Sequence, residues 1–256
     1  MSVKLDHDAV ALELRTAERN RIGVPLLTER FEGLTAADAR AIALAVDALR
    51  RADGDELIGY KLGWTSAAMR EALGISMPNW GTLWSSQRLA GHLDLATMIH
   101  PKVEPEFVFV AGADIQGPVD AATVIAGCAG WCVGMEIVDP RFPSFRFDWL
   151  DNTADNSSAA GTRTGTMFSS TDTDPATFEL SFTDGSEERS GRGERALGSP
   201  VEAVRWLVER LAGEGERLRA GQIVYTGGVT APFDLTAGRT YRVASPQLGN
   251  VELVAS

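Results

Sequence analysis

Cysteine is nearly absent: the 256-residue chain has two, Cys128 and Cys132. Two are too few for a disulfide framework, and without a second pair or nearby histidines they lack the pattern of a zinc site. They read as buried thiols in a reducing compartment. Histidine is almost as scarce, and His7, His92 and His100 form no recognisable dyad. No stretch approaches the ~20 apolar residues of a membrane span. Segment 1–18 carries Lys4, Asp6, His7, Asp8 and Glu13 where a signal peptide would be apolar, so a cytoplasmic protein is expected. Basic residues are in the minority, 24 against 35 acidic, for a net charge of -11. That balance repels phosphate backbones and argues against nucleic acid as a partner. A small anionic ligand would need local help from a metal or from well-placed Arg and Lys. Repeats and low-complexity tracts are missing too.

What is present suffices for a full core, with 44% of the residues hydrophobic. The first 55 residues read as helical. Ala9, Leu12, Leu14 and Ala17 form a broken stripe, Thr35-Ala-Ala-Asp38 opens a second helix as an N-cap with an acid three residues on, and Ala41, Ile42, Ala45, Val46 and Leu49 follow at helical spacing. From Glu56 the texture changes to short apolar runs between Gly, Pro, Asn and Asp, predicting strands at 57–61, 103–110, 132–138, 178–182 and 222–226. Helices are predicted at 66–73, 121–128 and 200–212, a hairpin at 183–187, and a sharp turn at Gly227-Gly228. The fold class is α+β: a helical N-terminal cap over 1–55 on a mixed, strand-rich body over 56–256.

The chemistry concentrates in Val103-Glu104-Pro105-Glu106-Phe107. Two glutamates two apart in a strand point to one face. Such close like charges among Val and Phe need a proton or a cation between them. Pro105 removes a ladder donor and suggests an edge or a bulge. A third carboxylate, Glu136, interrupts the apolar run 131–138 and also demands a partner. Three carboxylates make a hard oxygen site suited to magnesium or manganese, with positions left for water and substrate. The pattern alone leaves the other reading open, in which these acids form buried ion pairs with Lys61, Lys102 or an arginine.

Further markers accompany these acids in order: Gly59-Tyr-Lys61-Leu-Gly63, Gly74 through Gly81-Thr-Leu83, Lys102-Val-Glu104-Pro-Glu106, Glu136-Ile-Val-Asp139, Thr153-Ala-Asp155-Asn156-Ser157, Ala196-Leu-Gly198 with Pro200, and Thr226-Gly227-Gly228. Together they resemble the 2-keto-4-pentenoate hydratase and 4-oxalocrotonate decarboxylase family of the fumarylacetoacetate hydrolase superfamily, over nearly the whole chain. The resemblance implies a body like that superfamily's C-terminal domain. It implies Glu104, Glu106 and Glu136 as ligands of Mg2+ or Mn2+, and Lys61 as a substrate-binding or proton-transferring group. It also places Leu83, Arg141, Asp155, Ser157, Thr226 and Gly227 at the substrate. It further implies a homo-oligomer, a small anionic 2-oxo acid as substrate, association with a partner hydratase or decarboxylase subunit, and a role in aromatic catabolism.

The chain departs from the hydratase pattern at one place. Hydratases carry Pro-Asp-aromatic-Gly where this sequence has Pro78-Asn79-Trp80-Gly81. An amide can orient water but cannot take its proton. The segments 99–102, 145–148 and 226–230 also look more like the decarboxylase branch. The resemblance therefore implies a lyase that works through a metal-stabilised dienolate, favoured as a 2-oxo-3-enedioate decarboxylase, with Asn79 beside the chemistry. Arg141, Arg146 and Arg163 are candidates for holding the second carboxylate. The alternatives are a hydratase, a non-catalytic accessory subunit, and hydrolytic carbon-carbon cleavage, which the missing His dyad disfavours.

Overall fold

The computed structural model describes residues 4–169 and 173–256. Three helices lead: α1 (His7–Asn20), α2 (Leu27–Arg30) and α3 (Ala36–Ala52). Asp6 caps α1 by accepting from two backbone N–H groups, and Thr35 and Asp38 close the expected capping box on α3. Val10, Leu14, Ile42 and Val46 turn inward and form one apolar cluster, which also takes in Phe142 and Ala154 from the body.

The body continues with β1 (Leu57–Gly63), α4 (Ala67–Leu73), β2 (Asn79–Trp84), β3 (His92–Leu93), β4 (Lys102–Ala111), α5 (Ala121–Ala126) and β5 (Cys128–Val138). Then come α6 (Trp149–Ala154), β6 (Ala159–Thr164), β7 (Glu179–Thr183), β8 (Glu188–Arg192), α7 (Pro200–Gly213), β9 (Ile223–Tyr225), β10 (Phe233–Asp234), β11 (Thr240–Ser245) and β12 (Gly249–Ala255). The expected hairpin joins β7 to β8. The predicted helix 121–128 stops at Ala126, because Gly127 ends it and β5 starts four residues before the predicted strand. Strand β2 was not predicted, although all six of its residues are buried.

Two sheets stack over a shared core. The larger runs β2-β1-β9-β4-β5-β6 with β10 also on β4, and the smaller runs β3-β12-β11-β7-β8. Both mix parallel and antiparallel pairs. Val201, Val204, Leu207 and Leu211 of α7 join the main core as one apolar stripe of the helix predicted at 200–212. No helix among the described residues is long and apolar enough to cross a membrane.

One irregularity positions the site. β9 pairs with β4 only at Val108 to Val110, and β10 only at Lys102 and Val103. Between them the chain bridges β4 as a loop, with Thr226 N–H donating to Phe107 O (3.2 Å) and Val229 N–H to Pro105 O (3.3 Å). Pro105 is thus in a central strand rather than at an edge. A strand residue's N and carbonyl point to the same side, so the donor Pro105 lacks faces this gap, where no regular ladder would use it.

Candidate metal centre and substrate pocket

Glu104 and Glu136 are direct cross-strand partners of β4 and β5, and Glu106 lies two residues along the same face. That register brings one carboxylate oxygen from each within 4.8 Å of the others, although about 30 residues separate the third acid from the pair. Among the described residues no other group of three or more His, Cys, Asp or Glu side chains converges in this way. Glu106 and Glu136 have no exposed surface, while Glu104 is partly open to a neighbouring cavity.

Glu106 Oε2 accepts from Gly227 N–H at 2.6 Å, but Glu106 Oε1 and both Glu136 oxygens accept no hydrogen bond from the described residues. Lys61 Nζ lies 3.2 Å from Glu136 Oε1, yet its hydrogen bonds go to Ser157 O (2.8 Å) and Ser157 Oγ (3.1 Å). One ammonium cannot neutralise three carboxylates. Burial, with the mutual repulsion of the acids added for Glu106 and Glu136, pushes all three carboxyls above the ordinary carboxylate range. Bare buried oxygens on a hard, all-carboxylate donor set fit a divalent cation such as Mg2+.

The three acids give stability a pH dependence with a definite sign. Carboxyls whose pKa is raised in the folded state contribute stability when protonated, and lose it as pH rises through the raised values. Without metal, thermal stability is therefore expected to fall between about pH 5 and about pH 8. Magnesium at about 100 times its Kd should return about 2.7 kcal/mol at the upper end and much less at the lower, because ligands must ionise to bind. Calorimetric scans with chelator and with magnesium test this, and an equal magnesium shift at both pH values would count against the site.

Lys61 sits on β1 between two glycines of its marker. A Cβ on Gly63 would lie 2.3 Å from Asn79 Oδ1 and 2.5 Å from Ser157 Oγ, so only glycine leaves room for the polar group that fixes the lysine. Asn156, Ser157 and Ser158 all take left-handed backbone, with φ of 52°, 52° and 60°. Such strain persists only where the surroundings over-determine it. Here the Asn156 side chain accepts from Thr82 N–H (2.7 Å) and donates to Thr82 O (2.9 Å), so the loop is locked onto β2.

Asn79 is buried behind this loop. Its Nδ2 donates to Asn152 Oδ1 (2.8 Å) and Thr153 Oγ1 (3.2 Å), and its Oδ1 accepts from Ser157 Oγ (3.0 Å). A cavity of about 250 Å³ opens next to Lys61 and Glu104, with Asn152 and Ser157 in its polar lining and Trp64, Phe145 and Phe147 in its apolar lining. The aromatic rings follow one another at centroid distances of 6.4 Å and 6.1 Å. Sequence reasoning missed this apolar lining, although the alternation of Phe145 and Phe147 was a signal for it.

Several expected substrate contacts lie elsewhere. Arg141 is committed to Asp155, which it grips through both Nε and its backbone N–H, and its remaining donors reach the carbonyls of Asp139, Asp155 and Ala159. A buried aspartate demands such a partner, so Arg141 and Asp155 serve each other, away from the cavity. The Leu83 side chain is packed among Ile58, Val108 and Tyr225. Thr226 is fully buried and donates its hydroxyl to Phe107 O (2.9 Å). Gly227, at φ 109°, directs its N–H at Glu106 instead of at a ligand. Of the expected set, Lys61, Ser157 and Glu104 border the cavity, while Asn79, Glu106 and Glu136 lie just behind it.

No family model matches the chain. Individual relatives do. It is 31% identical over 252 residues to a 2-keto-4-pentenoate hydratase of Paraburkholderia phymatum, covering 95% of each chain. It is 32% identical over 235 residues to a 4-oxalocrotonate decarboxylase of Pseudomonas sp. strain CF600, covering 90% of this chain and 89% of the other. Among solved structures, 4-oxalocrotonate decarboxylase from Pseudomonas putida G7, complexed with magnesium and adipate, superposes with a TM-score of 0.94 at 30% identity over 99% of both chains. Fumarylpyruvate hydrolase from Pseudomonas aeruginosa shares the fold, with a TM-score of 0.61 at 16% identity over 77% of this chain and 88% of that one.

Proposed function

Because the chain belongs to the family of 2-keto-4-pentenoate hydratases and 4-oxalocrotonate decarboxylases, we propose that this magnesium-dependent lyase decarboxylates a 2-oxo-3-enedioate. One observation carries the choice of branch: apart from Glu104 and Glu136, which the metal would occupy, the polar groups around Lys61 are Asn79, Asn152, Ser157 and Ser158, none of them a carboxyl able to take a proton from water. The relative that superposes over almost its whole length is a decarboxylase seen with magnesium and a dicarboxylate, which supports the same reading.

Glu104, Glu106 and Glu136 would hold Mg2+, which supplies Lewis-acid polarisation of the 2-oxo group. The bond to the far carboxylate breaks, its electron pair passes through the conjugated chain to the 2-oxygen, and carbon dioxide leaves. Lys61, held by Ser157, is placed to give a proton to the resulting dienolate. Trp64, Phe145 and Phe147, with rings tilted against one another, give the cavity an apolar side that shields a conjugated chain from water. With magnesium, carbon dioxide release from a 2-oxo-3-enedioate is expected to outpace hydration of a 2-hydroxydienoate, and chelator should abolish it. Rapid hydration without carbon dioxide release would move the protein to the hydratase branch.

Asn79→Asp probes the same polar groups. It puts a carboxylate oxygen where Nδ2 now meets Asn152 Oδ1 at 2.8 Å, and Asn152 cannot turn its amide without losing the bond from Trp64 Nε1 (2.9 Å). A cost of about 1–3 kcal/mol is expected at pH 8. The new carboxyl has a raised folded pKa, so the deficit should shrink at lower pH, where a protonated oxygen can donate in place of the amide. Hydration of a 2-hydroxydienoate should rise in the variant. Thermal scans at two pH values and a hydration assay check this; a pH-independent deficit with no gain in hydration would contradict it.

A further inference from the structure

We propose that Lys102 holds the far carboxylate of the substrate and sets a preference for dicarboxylic over monocarboxylic ligands. The inference rests on the enedioate reading above and deepens it by assigning the group that recognises the second charge.

The arginines suggested by the sequence are excluded by position. Arg141 is locked to Asp155. Arg163 stands opposite Met135, on the face of the sheet away from Glu136, and donates Nε–H to Glu252 O. Arg146 is exposed and lies outside the cavity lining. The charged residues that line the cavity are Lys61, Glu104 and Lys102. Lys61 is committed to Ser157 and Glu136 at the acid end, which leaves Lys102 as the cation for a second anionic group.

Its placement suits that role. Lys102, Glu104 and Glu106 follow at intervals of two along β4 and share one face. Lys102 therefore starts about 7 Å beyond Glu104 along the strand. A six-carbon diacid, with five carbon-carbon bonds of about 1.5 Å, spans about 6 Å between its terminal carbons. An acid bound at the carboxylate cluster by one end thus brings its other end to Lys102. The ammonium lies 5.0 Å from the ring centroid of Phe145, whose edge also meets His100 at 5.2 Å. Its present partner is Asp234 (2.8 Å), whose side chain is 81% exposed. A pair with so solvated an acid is weak, so the lysine can turn to a ligand. A single flexible ammonium also grips less firmly than a bidentate guanidinium, which suits a carboxylate that must leave.

Calorimetric titration of the magnesium-loaded protein with adipate and with hexanoate tests this without turnover. Lys102→Met is expected to weaken adipate about tenfold or more and hexanoate less than about twofold, while Lys102→Arg stays within about threefold of wild type for both. Equal weakening of both acids by Lys102→Met, or of neither, overturns the proposal. Should that variant fail to fold, Asp234→Asn decides: removing the competing carboxylate should tighten adipate about threefold with hexanoate unchanged, and unchanged or weaker adipate binding overturns it. A wild type that releases no carbon dioxide from a 2-oxo-3-enedioate but loses adipate binding on Lys102→Met removes the reaction and keeps the lysine. A Lys102→Met enzyme that decarboxylates with unchanged KM keeps the reaction and removes the lysine.

Discussion

Glu106→Gln is expected to lower magnesium-dependent turnover by about 10³-fold or more while making the metal-free protein more stable. The first effect follows from the several kcal/mol of transition-state stabilisation that a Lewis acid supplies, at about 1.4 kcal/mol per factor of ten. The second follows from the surroundings of the side chain. Glu106 is fully buried beside Glu104 and Glu136, and one of its oxygens accepts no hydrogen bond. Glutamine removes one of three like charges, keeps an oxygen for Gly227 N–H, and offers an N–H to the bare oxygens of Glu136. Thermal unfolding in chelator and magnesium calorimetry measure the two effects separately. A variant that binds magnesium as the wild type does, or that unfolds earlier without metal, would refute this account of the site.

Lys61→Met should reduce turnover by about 10²–10⁴-fold, the range for a positioned proton-transfer group. Unlike the glutamate variant, it should also destabilise the protein. Methionine leaves Ser157 O and Oγ without their buried donor and Glu136 without its nearest cation. A lost buried partner costs about 1–3 kcal/mol, and here the loop it restrains is already strained. Magnesium affinity should hold or increase, since a competing positive charge is gone. The informative result is the combination of slow turnover with intact metal binding. Turnover within about tenfold of wild type would instead give the proton transfer to another group.

The centre of this site was legible because strand geometry is local. Period two puts Glu104 and Glu106 on one face, and an isolated glutamate in an apolar run has to find a partner. What sequence could not supply was register, and the pairing that sets Glu104 opposite Glu136 is what turns three acids into one group. The substrate contacts were less legible for the same reason. Arg141 and Asp155 are 14 residues apart, and nothing local shows that they satisfy each other. Thr226 and Gly227 lie in the loop that bridges β4 beside the acids, and which way that loop directs its N–H groups depends on the gap between β9 and β10. In the cap, the capping box on Thr35 and the apolar stripe were enough to place α3. Strand β2 has no alternation, because it is buried on both sides, and so it carried no periodic signal.

The packing of α6 bears on how such a protein can be rebuilt. Asp151 on that helix accepts from Leu27 N–H (2.8 Å), Thr28 N–H (3.1 Å) and Thr28 Oγ1 (2.7 Å), and the chain then runs directly from the end of the helix into the loop at Asn156–Ser158 that fixes Lys61. A chimera with its first 55 residues taken from a relative would thus be decided less by the peptide junction than by whether the incoming segment still satisfies Asp151. Exchange of the cap, in the laboratory or by recombination, is filtered by a contact that touches no substrate.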